Sequence, residues 1–170
     1  LKGLDHVAKP AVVALLSTRE QEGKSFAGGS IKELLDNQED KKGTFITPVE
    51  GPDENGEGGY DLEKFGHATT YDELLPEGLK AGKAQHDYIF IELPALLKHN
   101  YTPDLLKSFD LIFLVVRANR TWSEADQKAL DTVNSLAAQK PKFVLNATKV
   151  DALESTIGDI PRKRSTFRRF

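Results

Sequence analysis

The stretch "ALLSTREQEGKSFAGG", Ala14 to Gly29, joins an apolar run of buried-strand type to a segment with the pattern of a helix. Within it, Gly23-Lys24-Ser25 matches the end of G-x-x-x-x-G-K-[ST], a loop whose backbone N–H groups surround the phosphates of a nucleotide. Thr18 stands where the first glycine of that pattern belongs. The stretch therefore predicts a strand, a phosphate-binding type of loop and a helix, and it leaves open whether the loop still binds a nucleotide.

The bulk composition is that of an ordinary globular domain. The chain has 170 residues, of which 39% are hydrophobic and 29% charged, and its formal net charge is −3. This length suffices for one domain with a sizeable core, and the charge gives no overall attraction to nucleic acid. The chain contains no Cys, which excludes disulfides and thiolate metal sites. No apolar run reaches the roughly 18 residues of a membrane span, and no signal peptide is visible.

Apolar runs alternate with helical patterns along the chain. Several runs are continuously apolar, which is typical of parallel strands that are covered on both faces. The sequence therefore predicts an α/β fold with a mostly parallel, doubly wound sheet. The glycine-rich, acidic segment 50–66 is predicted to be a long loop. The predicted strands are residues 11–17, 43–49, 86–94, 110–118 and 142–148, and the predicted helices are residues 24–38, 102–109 and 121–139.

Two of the predicted helices carry local signals. The last one is expected to begin at Ser123 as its N-cap, with acidic residues near its positive end. In the first one, Gly28 and Gly29 weaken the helix but allow it to lie close to a sheet. Its larger apolar residues are spaced to share one face, which we expect to be buried: Phe26, Ile31, Leu34 and Leu35.

The turn at residues 21–25 lies at the carboxyl end of a predicted strand, where ligands bind in folds of this kind. Backbone N–H groups and the helix N-terminus attract phosphate there. Lys24 is predicted to reach the β- and γ-phosphates, and the Ser25 hydroxyl to hold Mg²⁺. A surface turn with an exposed lysine stays open as the alternative, because G-K-[ST] alone occurs by chance in many chains.

Four segments, in order, resemble the bacterial tyrosine kinases that regulate capsule and exopolysaccharide export, a family of the P-loop NTPase superfamily. The segments are LLSTREQEGKSFAGGSIKELL, HDYIFIELPALL, FDLIFLVVRANRTW and KFVLNA, which together span most of the chain. The resemblance implies a P-loop NTPase-like three-layer fold that binds ATP or ADP with Mg²⁺.

The same resemblance assigns roles to individual residues. It implies that the catalytic residues are Lys24 and Glu92, and that Mg²⁺ is held by Ser25 and Glu92. The residues that it places around the nucleotide are Gln21, Glu22, Gly23, Lys24, Ser25, Phe26 and Asn146.

The chain departs from the family pattern at positions that the family uses for nucleotide binding, metal binding and phosphorylation. Gln21 replaces a glycine of the family's Gly-Glu-Gly-Lys string, and Glu92 stands where the second acidic strand carries Asp. The Asp-x-Asp element after the second strand is missing, and that segment offers Glu50, Asp53 and Glu54 instead. The family is phosphorylated on a tyrosine cluster at its end, whereas the tyrosines here lie elsewhere: Tyr60, Tyr71, Tyr88 and Tyr101.

These departures lead to the hypothesis of a degenerate, kinase-like nucleotide-binding domain with weak or absent tyrosine kinase activity. Its expected role is in the biosynthesis and export of exopolysaccharide, capsule or lipopolysaccharide. Loss of acidic metal ligands lowers phosphoryl-transfer rates far more than fold stability, because that reaction depends on positioning and on Mg²⁺. An active ATP-dependent protein-tyrosine kinase or ATPase is the alternative.

The resemblance also implies a cellular setting. Residues 1–170 are expected to form one cytoplasmic domain, and because the chain starts at Leu1 and contains no Met, we expect a C-terminal fragment of a longer membrane protein. The expected location is the cytoplasmic face of the bacterial inner membrane. The expected partner is the membrane-spanning part of the same or a partner polysaccharide co-polymerase, a determinant of chain length. Homo-oligomers are a further expectation.

The tail, residues 159–170, is basic. Contact with anionic lipid is one interpretation, since each basic residue near such a surface contributes ~1 kcal/mol. Interleaved Phe residues would also suit nucleic acid, but no nucleic-acid partner is expected, and a solvated terminal helix is the interpretation we favour. The basic residues concerned are Arg162, Lys163, Arg164, Arg168 and Arg169.

The segment Thr148–Asp151, "TKVD", offers a second alternative, a GTP-binding protein. It is close to the Asn/Thr-Lys-x-Asp element with which GTPases recognise guanine. A GTPase also needs Asp-x-x-Gly at a strand end, which "IELPAL" does not supply. A solvated loop is therefore the favoured interpretation of this segment.

Overall fold

The apolar run at residues 11–16 forms one of the two central strands of the sheet. The structure, a computed structural model, describes residues 9–38, 40–49 and 59–149. The strands are β1 (Ala11–Leu16), β2 (Gly43–Val49), β3 (Gly59–Asp61), β4 (Tyr88–Glu92), β5 (Leu111–Arg117) and β6 (Lys142–Asn146). They form one sheet in the order β3-β2-β4-β1-β5-β6, and every neighbouring pair is parallel. The predicted parallel α/β sheet is thereby confirmed.

The helices of the described ranges are α1 (Lys24–Asp36), α2 (Leu62–Phe65), α3 (Glu77–Gly82), α4 (Pro103–Lys107) and α5 (Glu124–Leu136), with short 3₁₀ turns at Tyr71–Leu74 and Lys83–Gln85. Three of the helices, α1, α4 and α5, lie within the predicted helical segments, and two further short helices occur in the described part of the chain. The predicted N-cap of α5 is confirmed, because the Ser123 side chain accepts a hydrogen bond from the N–H of Asp126. Within the described ranges, no helix has the length and apolar character needed to cross a membrane.

Alternate residues of β1 enter two separate apolar clusters, so the sheet is covered on both faces. Val12, Ala14 and Leu16 pack on the face that carries α2, α4 and α5. Val13 and Leu15 pack on the face that carries α1. This continuous burial explains why β1 contains only apolar residues, and it produces the three layers of helix, sheet and helix.

The buried face of α1 differs in part from the predicted one. Of the four residues predicted to share this face, Leu35 is buried and Ile31 packs against the same cluster, whereas Phe26 and Leu34 are exposed. Ala27 and Gly28 are buried as well. A Cβ on Gly28 would lie 2.4 Å from the ring of Phe45 in β2. Short side chains therefore let α1 approach the sheet closely, and Phe26 and Leu34 are left on its outer side.

The prediction that residues 50–66 form one long loop was wrong for its second half, since Gly59–Asp61 is β3 and Leu62–Phe65 is α2. Residues 50–58 lie outside the described ranges. A strand of three residues is too short to show periodicity. The strand is held by a contact with a distant part of the chain, since the hydroxyl of Tyr60 donates to the carbonyl of Glu92, 2.7 Å away.

Candidate phosphate-binding site

The loop between β1 and α1, residues 17–23, lies at the edge of the sheet where the parallel strands all end. We term it the β1–α1 loop. The segment after β4 fixes its beginning: the N–H of Leu96 donates to the carbonyl of Ser17, and that of Leu97 to the carbonyl of Thr18, each over 3.0 Å. The loop therefore occupies the position at which ligands bind in parallel α/β folds.

Two residues of the β1–α1 loop adopt a left-handed backbone conformation, Gln21 with φ 59° and Gly23 with φ 91°. For Gln21 this conformation costs about 1–2 kcal/mol, because its Cβ approaches the following carbonyl. Thr18 lies outside the left-handed region, so its backbone needs no glycine. Its hydroxyl instead donates to the carboxylate of Asp126 over 2.6 Å. The two missing glycines thus have different consequences, strain at Gln21 and a new contact at Thr18.

Asn146, at the end of β6, is bonded directly to the β1–α1 loop. Its Nδ2 donates to the carbonyl of Glu22 over 2.9 Å, and its Oδ1 accepts from the N–H of Ala147. A Cβ on Gly23 would lie 1.9 Å from this Nδ2. Gly23 is therefore required both by its positive φ and by the amide of Asn146.

The first turn of α1 presents backbone N–H groups that the helix itself does not bond. The N–H of Ala27 makes the first helical bond, to the carbonyl of Gly23. No side chain in the described part of the chain caps this helix, and its first turn contains no acidic residue. Such an N-terminus attracts anions. Ser25 and Phe26 lie here and are exposed, Phe26 to 72%.

Lys24 is buried, with only 7% of its surface exposed. Its Nζ donates to the Ser17 hydroxyl over 3.0 Å and lies 3.7 Å from Oε1 of Glu92. Burial lowers the pKa of Lys24 below its usual value of 10.5, and the attraction of Glu92 offsets this only in part. The lysine is thus not an exposed surface residue, and its ammonium group lies between the Ser17 hydroxyl and the Glu92 carboxylate.

Glu92 contributes a second ionisable group to the same place. Its Oε2 is buried and makes no hydrogen bond within the described residues. Beside it is a cavity of about 280 Å³, which is lined by Gln21, Lys24 and His99 among others. Among the described residues that line this cavity, Oε2 of Glu92 is the one buried carboxylate oxygen without a hydrogen-bond partner.

The donor set fits Mg²⁺ only together with a ligand. No group of three or more His, Asp or Glu residues in the described ranges is placed to hold a metal ion. Mg²⁺ is commonly bound by one or two protein groups, with phosphates and waters completing its octahedron. Glu92, through its free Oε2, and Ser25, which is exposed on the first turn of α1, are the residues that would hold it.

An ionic cluster outside the predicted set holds the far side of the β1–α1 loop. Glu22 is only 1% exposed. Its carboxylate accepts from the backbone N–H of Arg117 and from Nε of Arg120. The guanidinium of Arg120 also donates to both carboxylate oxygens of Asp126, over 2.9 and 3.0 Å. The cluster links the loop to the end of β5 and to the first turn of α5.

Asp126 is fully buried at the centre of this cluster. Burial opposes its ionisation, but hydrogen bonds from Ser123, Thr18 and Arg120 outweigh it and hold the pKa of Asp126 far below its ordinary value of 3.8. The carboxylate is therefore ionised at every physiological pH. Arg19 adds a further bond to it, over 3.1 Å.

The structure brings the predicted site residues together in two groups and leaves others apart. Lys24 and Glu92 form one group, and Glu22, Gly23 and Asn146 form the other. Thr148 has a buried hydroxyl with no partner among the described residues. The remaining residues of interest lie outside the described ranges: Glu50, Asp53, Glu54, Asp151 and the basic residues of the tail, Arg162, Lys163, Arg164, Arg168 and Arg169.

These features define the class of the fold, an α/β domain of P-loop type with a parallel sheet and a Gly-Lys-Ser loop at its carboxyl edge. It is similar to the solved structure described as the kinase domain of the Escherichia coli tyrosine kinase ETK. The TM-score is 0.57 and the sequence identity 13%, and the match covers 82% of this chain and 68% of that one. No protein-family model matches the chain, and no curated protein matches it in sequence. The likeness is one of fold.

Proposed function

We propose that this chain is a degenerate, kinase-like domain that binds ATP or ADP with Mg²⁺ and has weak or absent tyrosine kinase activity. The observation that carries the proposal is the uncapped N-terminus of α1, whose first residue is the buried Lys24. Backbone N–H groups, the helix dipole and a buried ammonium group together suit a di- or triphosphate. The fold of the similar kinase domain supports the same assignment.

Two observations favour weak catalysis over full activity. Glu92 occupies the position of the expected metal-side Asp, and its Oε1 lies 3.7 Å from the Nζ of Lys24. None of the tyrosines is exposed: Tyr60 and Tyr88 are buried, and Tyr71 and Tyr101 are partly buried. A buried phenol is a poor acceptor for transfer, because it must leave the core to reach a second active site.

Calorimetric titration of the chain with Mg²⁺ and ATP, ADP or GTP tests the binding proposal. We expect ATP or ADP to bind with a dissociation constant on the order of micromolar, and Lys24→Ala to abolish the heat. Lys107→Ala is the matched control, because Lys107 is an exposed lysine whose ion pair within the described residues is with Asp104 on the same helix. A folded wild-type chain that binds none of the three nucleotides would refute the proposal.

Turnover separates the proposal from its alternative. We expect little phosphate release and little phosphorylation of an added tyrosine-containing polypeptide. Rates comparable to an ordinary kinase of the resembled family would show the active ATP-dependent enzyme instead. GTP binding remains the second alternative. The Thr148 hydroxyl near the end of β6 is buried and has no partner among the described residues, which suits a polar ligand there. A preference for GTP over ATP would favour this alternative.

The cellular part of the proposal follows from the sequence resemblance. The domain is proposed to act at the cytoplasmic face of the bacterial inner membrane, in exopolysaccharide, capsule or lipopolysaccharide export. Its proposed partners are the membrane-spanning part of the same or a partner co-polymerase, further copies of itself, and anionic lipid. Sedimentation with phosphatidylglycerol vesicles tests the last. Replacing the five basic tail residues, Arg162, Lys163, Arg164, Arg168 and Arg169, by Ala should abolish co-sedimentation.

A further inference from the structure

Glu22 presents a problem for any anion site in the β1–α1 loop. It lies three residues before Ser25 and directly before the Gly23-Lys24 pair, so a free carboxylate here would repel a phosphate. Yet its side chain is almost completely withdrawn from solvent. A buried carboxylate without a partner is strongly disfavoured. Glu22 therefore needs a neighbouring group that binds its carboxylate in the interior and compensates its negative charge.

Arg120 meets both requirements. Its Nε donates to Oε1 of Glu22, while the N–H of Arg117 donates to Oε2 over 2.5 Å. The guanidinium is itself held in place by Asp126, by the hydroxyl of Thr18 over 2.8 Å, and by the ring of Trp122, whose centroid lies 5.5 Å from Cζ. Its position is therefore fixed from several sides before any ligand arrives.

The charges of this cluster balance. Glu22 and Asp126 contribute two negative charges, and Arg120 and Arg19 contribute two positive ones, so the cluster as a whole is neutral. Lys24, by contrast, lies on the other side of the loop with Glu92. The acidic residue of the loop is thus matched by a cation that is separate from the one assigned to the ligand.

We propose that Arg120 is a positioning residue that neutralises Glu22 and turns its carboxylate away from the anion-binding N-terminus of α1. Asp126 orients Arg120 for this task. This inference rests on the proposed function, because it explains how an acidic loop residue is compatible with phosphate binding. Arg120 itself touches no ligand in this arrangement.

A charge-rescue cycle tests the proposal. The variants are Arg120→Gln, Glu22→Gln and the double variant, and the probe is ADP with Mg²⁺ in the calorimeter. We expect Arg120→Gln to weaken ADP binding by roughly tenfold or more, because Glu22 is then an uncompensated negative charge. Glu22→Gln in that background should recover most of the loss. A double variant that binds no better than Arg120→Gln would overturn the proposal, since Arg120 would then act only through the shape of the loop.

Unfolding measurements keep the test independent of the nucleotide. If the wild-type chain binds no nucleotide, the proposed function fails, and the Arg120 proposal is judged by thermal unfolding alone. Glu22→Gln should lower the unfolding midpoint of the wild type but raise that of Arg120→Gln, because it removes a stranded buried carboxylate. Lowering of both midpoints by the same amount would overturn the proposal. Should Arg120→Gln not fold, Arg120→Lys takes its place with the opposite criterion. It keeps a cation beside Glu22, so ADP should bind within a few fold of the wild type, and a tenfold loss would overturn the proposal.

Discussion

Nζ of Lys24 lies 3.7 Å from Oε1 of Glu92, and both side chains are buried. The pair joins the start of α1 to the end of β4, and each member compensates the other's charge. Because the pKa of Lys24 is lowered chiefly by burial, the charged lysine is costly in the folded chain, and the pair is sensitive to the loss of either partner.

The first prediction concerns this pair. Lys24→Met leaves Glu92 buried without its cation, so we expect a loss of about 2–4 kcal/mol in the free energy of unfolding. Lys24→Met combined with Glu92→Gln should be more stable than Lys24→Met alone. Urea unfolding measures both. Lys32→Met is the control, since its exposed pair with Asp36 should be worth less than about 0.5 kcal/mol. Additive losses in the double variant would contradict the prediction.

The second prediction compares two glycines, Gly23 at the end of the β1–α1 loop and Gly29 within α1. Gly23→Ala forces a Cβ into the amide of Asn146 at a positive φ, and we expect it to destabilise the chain by about 2 kcal/mol or more. Gly29→Ala meets no atom within 4 Å and should stabilise α1 by up to about 1 kcal/mol. Thermal unfolding distinguishes the two. Equal effects would show that the Gly23–Asn146 contact does not constrain the loop.

The third prediction concerns the backbone strain at Gln21. Gln21→Gly relieves the left-handed conformation and should raise the free energy of unfolding by up to about 1 kcal/mol, after the entropy cost of glycine. Glu20→Gly is the neighbouring control, at a position outside the left-handed region, and it should be destabilising. Chemical denaturation of both variants checks the sign. A destabilised Gln21→Gly would mean that the side chain contributes more than the strain costs.

The fourth prediction is a pH dependence from Asp126. Its folded pKa lies below the unfolded value, so its stabilisation is complete above about pH 4–5 and is lost as the pH falls through 3.8 and below. Near neutral pH, Asp126→Asn should cost about 3 kcal/mol or more, because Arg120 loses its buried partner. The difference between wild type and variant should narrow as the pH is lowered.

Urea unfolding at a series of pH values down to the acid transition checks this. Asp104→Asn provides the matched control, because Asp104 is exposed and pairs with Lys107 on the surface of α4. Its effect should be small and should change little with pH. If the difference in the free energy of unfolding between wild type and Asp126→Asn stays constant with pH, the pH dependence of stability arises from groups other than Asp126.

Much of the fold was predictable because buried parallel strands have a clear signature. Continuous apolar runs predicted β1, β4 and β5, and shorter apolar segments predicted β2 and β6. By contrast, β3 consists of three residues that are fixed by pairing with β2, and no local pattern predicts it. For α1, the prediction was right for Leu35 and wrong for Phe26 and Leu34. The face against the sheet also carries the small residues Ala27 and Gly28, whereas an apolar-face argument favours large side chains.

Residues of the candidate site were predictable only where they belong to a sequence motif or to a segment that resembles a known family. Gly-Lys-Ser identified the loop and Lys24, and the resemblance identified Asn146, but Arg120 and Asp126 were missed as partners of the loop. A usable signal existed: an acidic residue inside an anion-binding loop requires a buried cation, and Arg120 follows β5 closely. Sequence spacing could not show that Thr18, far from α5, bonds to Asp126.

The β1–α1 loop is held by residues that come much later in the chain, namely Leu96, Arg117, Arg120 and Asn146. Contacts between such distant segments form late, since the entropy of closing the intervening chain must be overcome first. A folding intermediate in which β5 and β6 have not docked would contain the Gly23-Lys24-Ser25 sequence, but its β1–α1 loop would lack the native conformation. A ligand of this loop would therefore bind only the completely assembled domain and stabilise it by mass action. Ligand binding would then measure the fraction of chains in which β5 and β6 have docked.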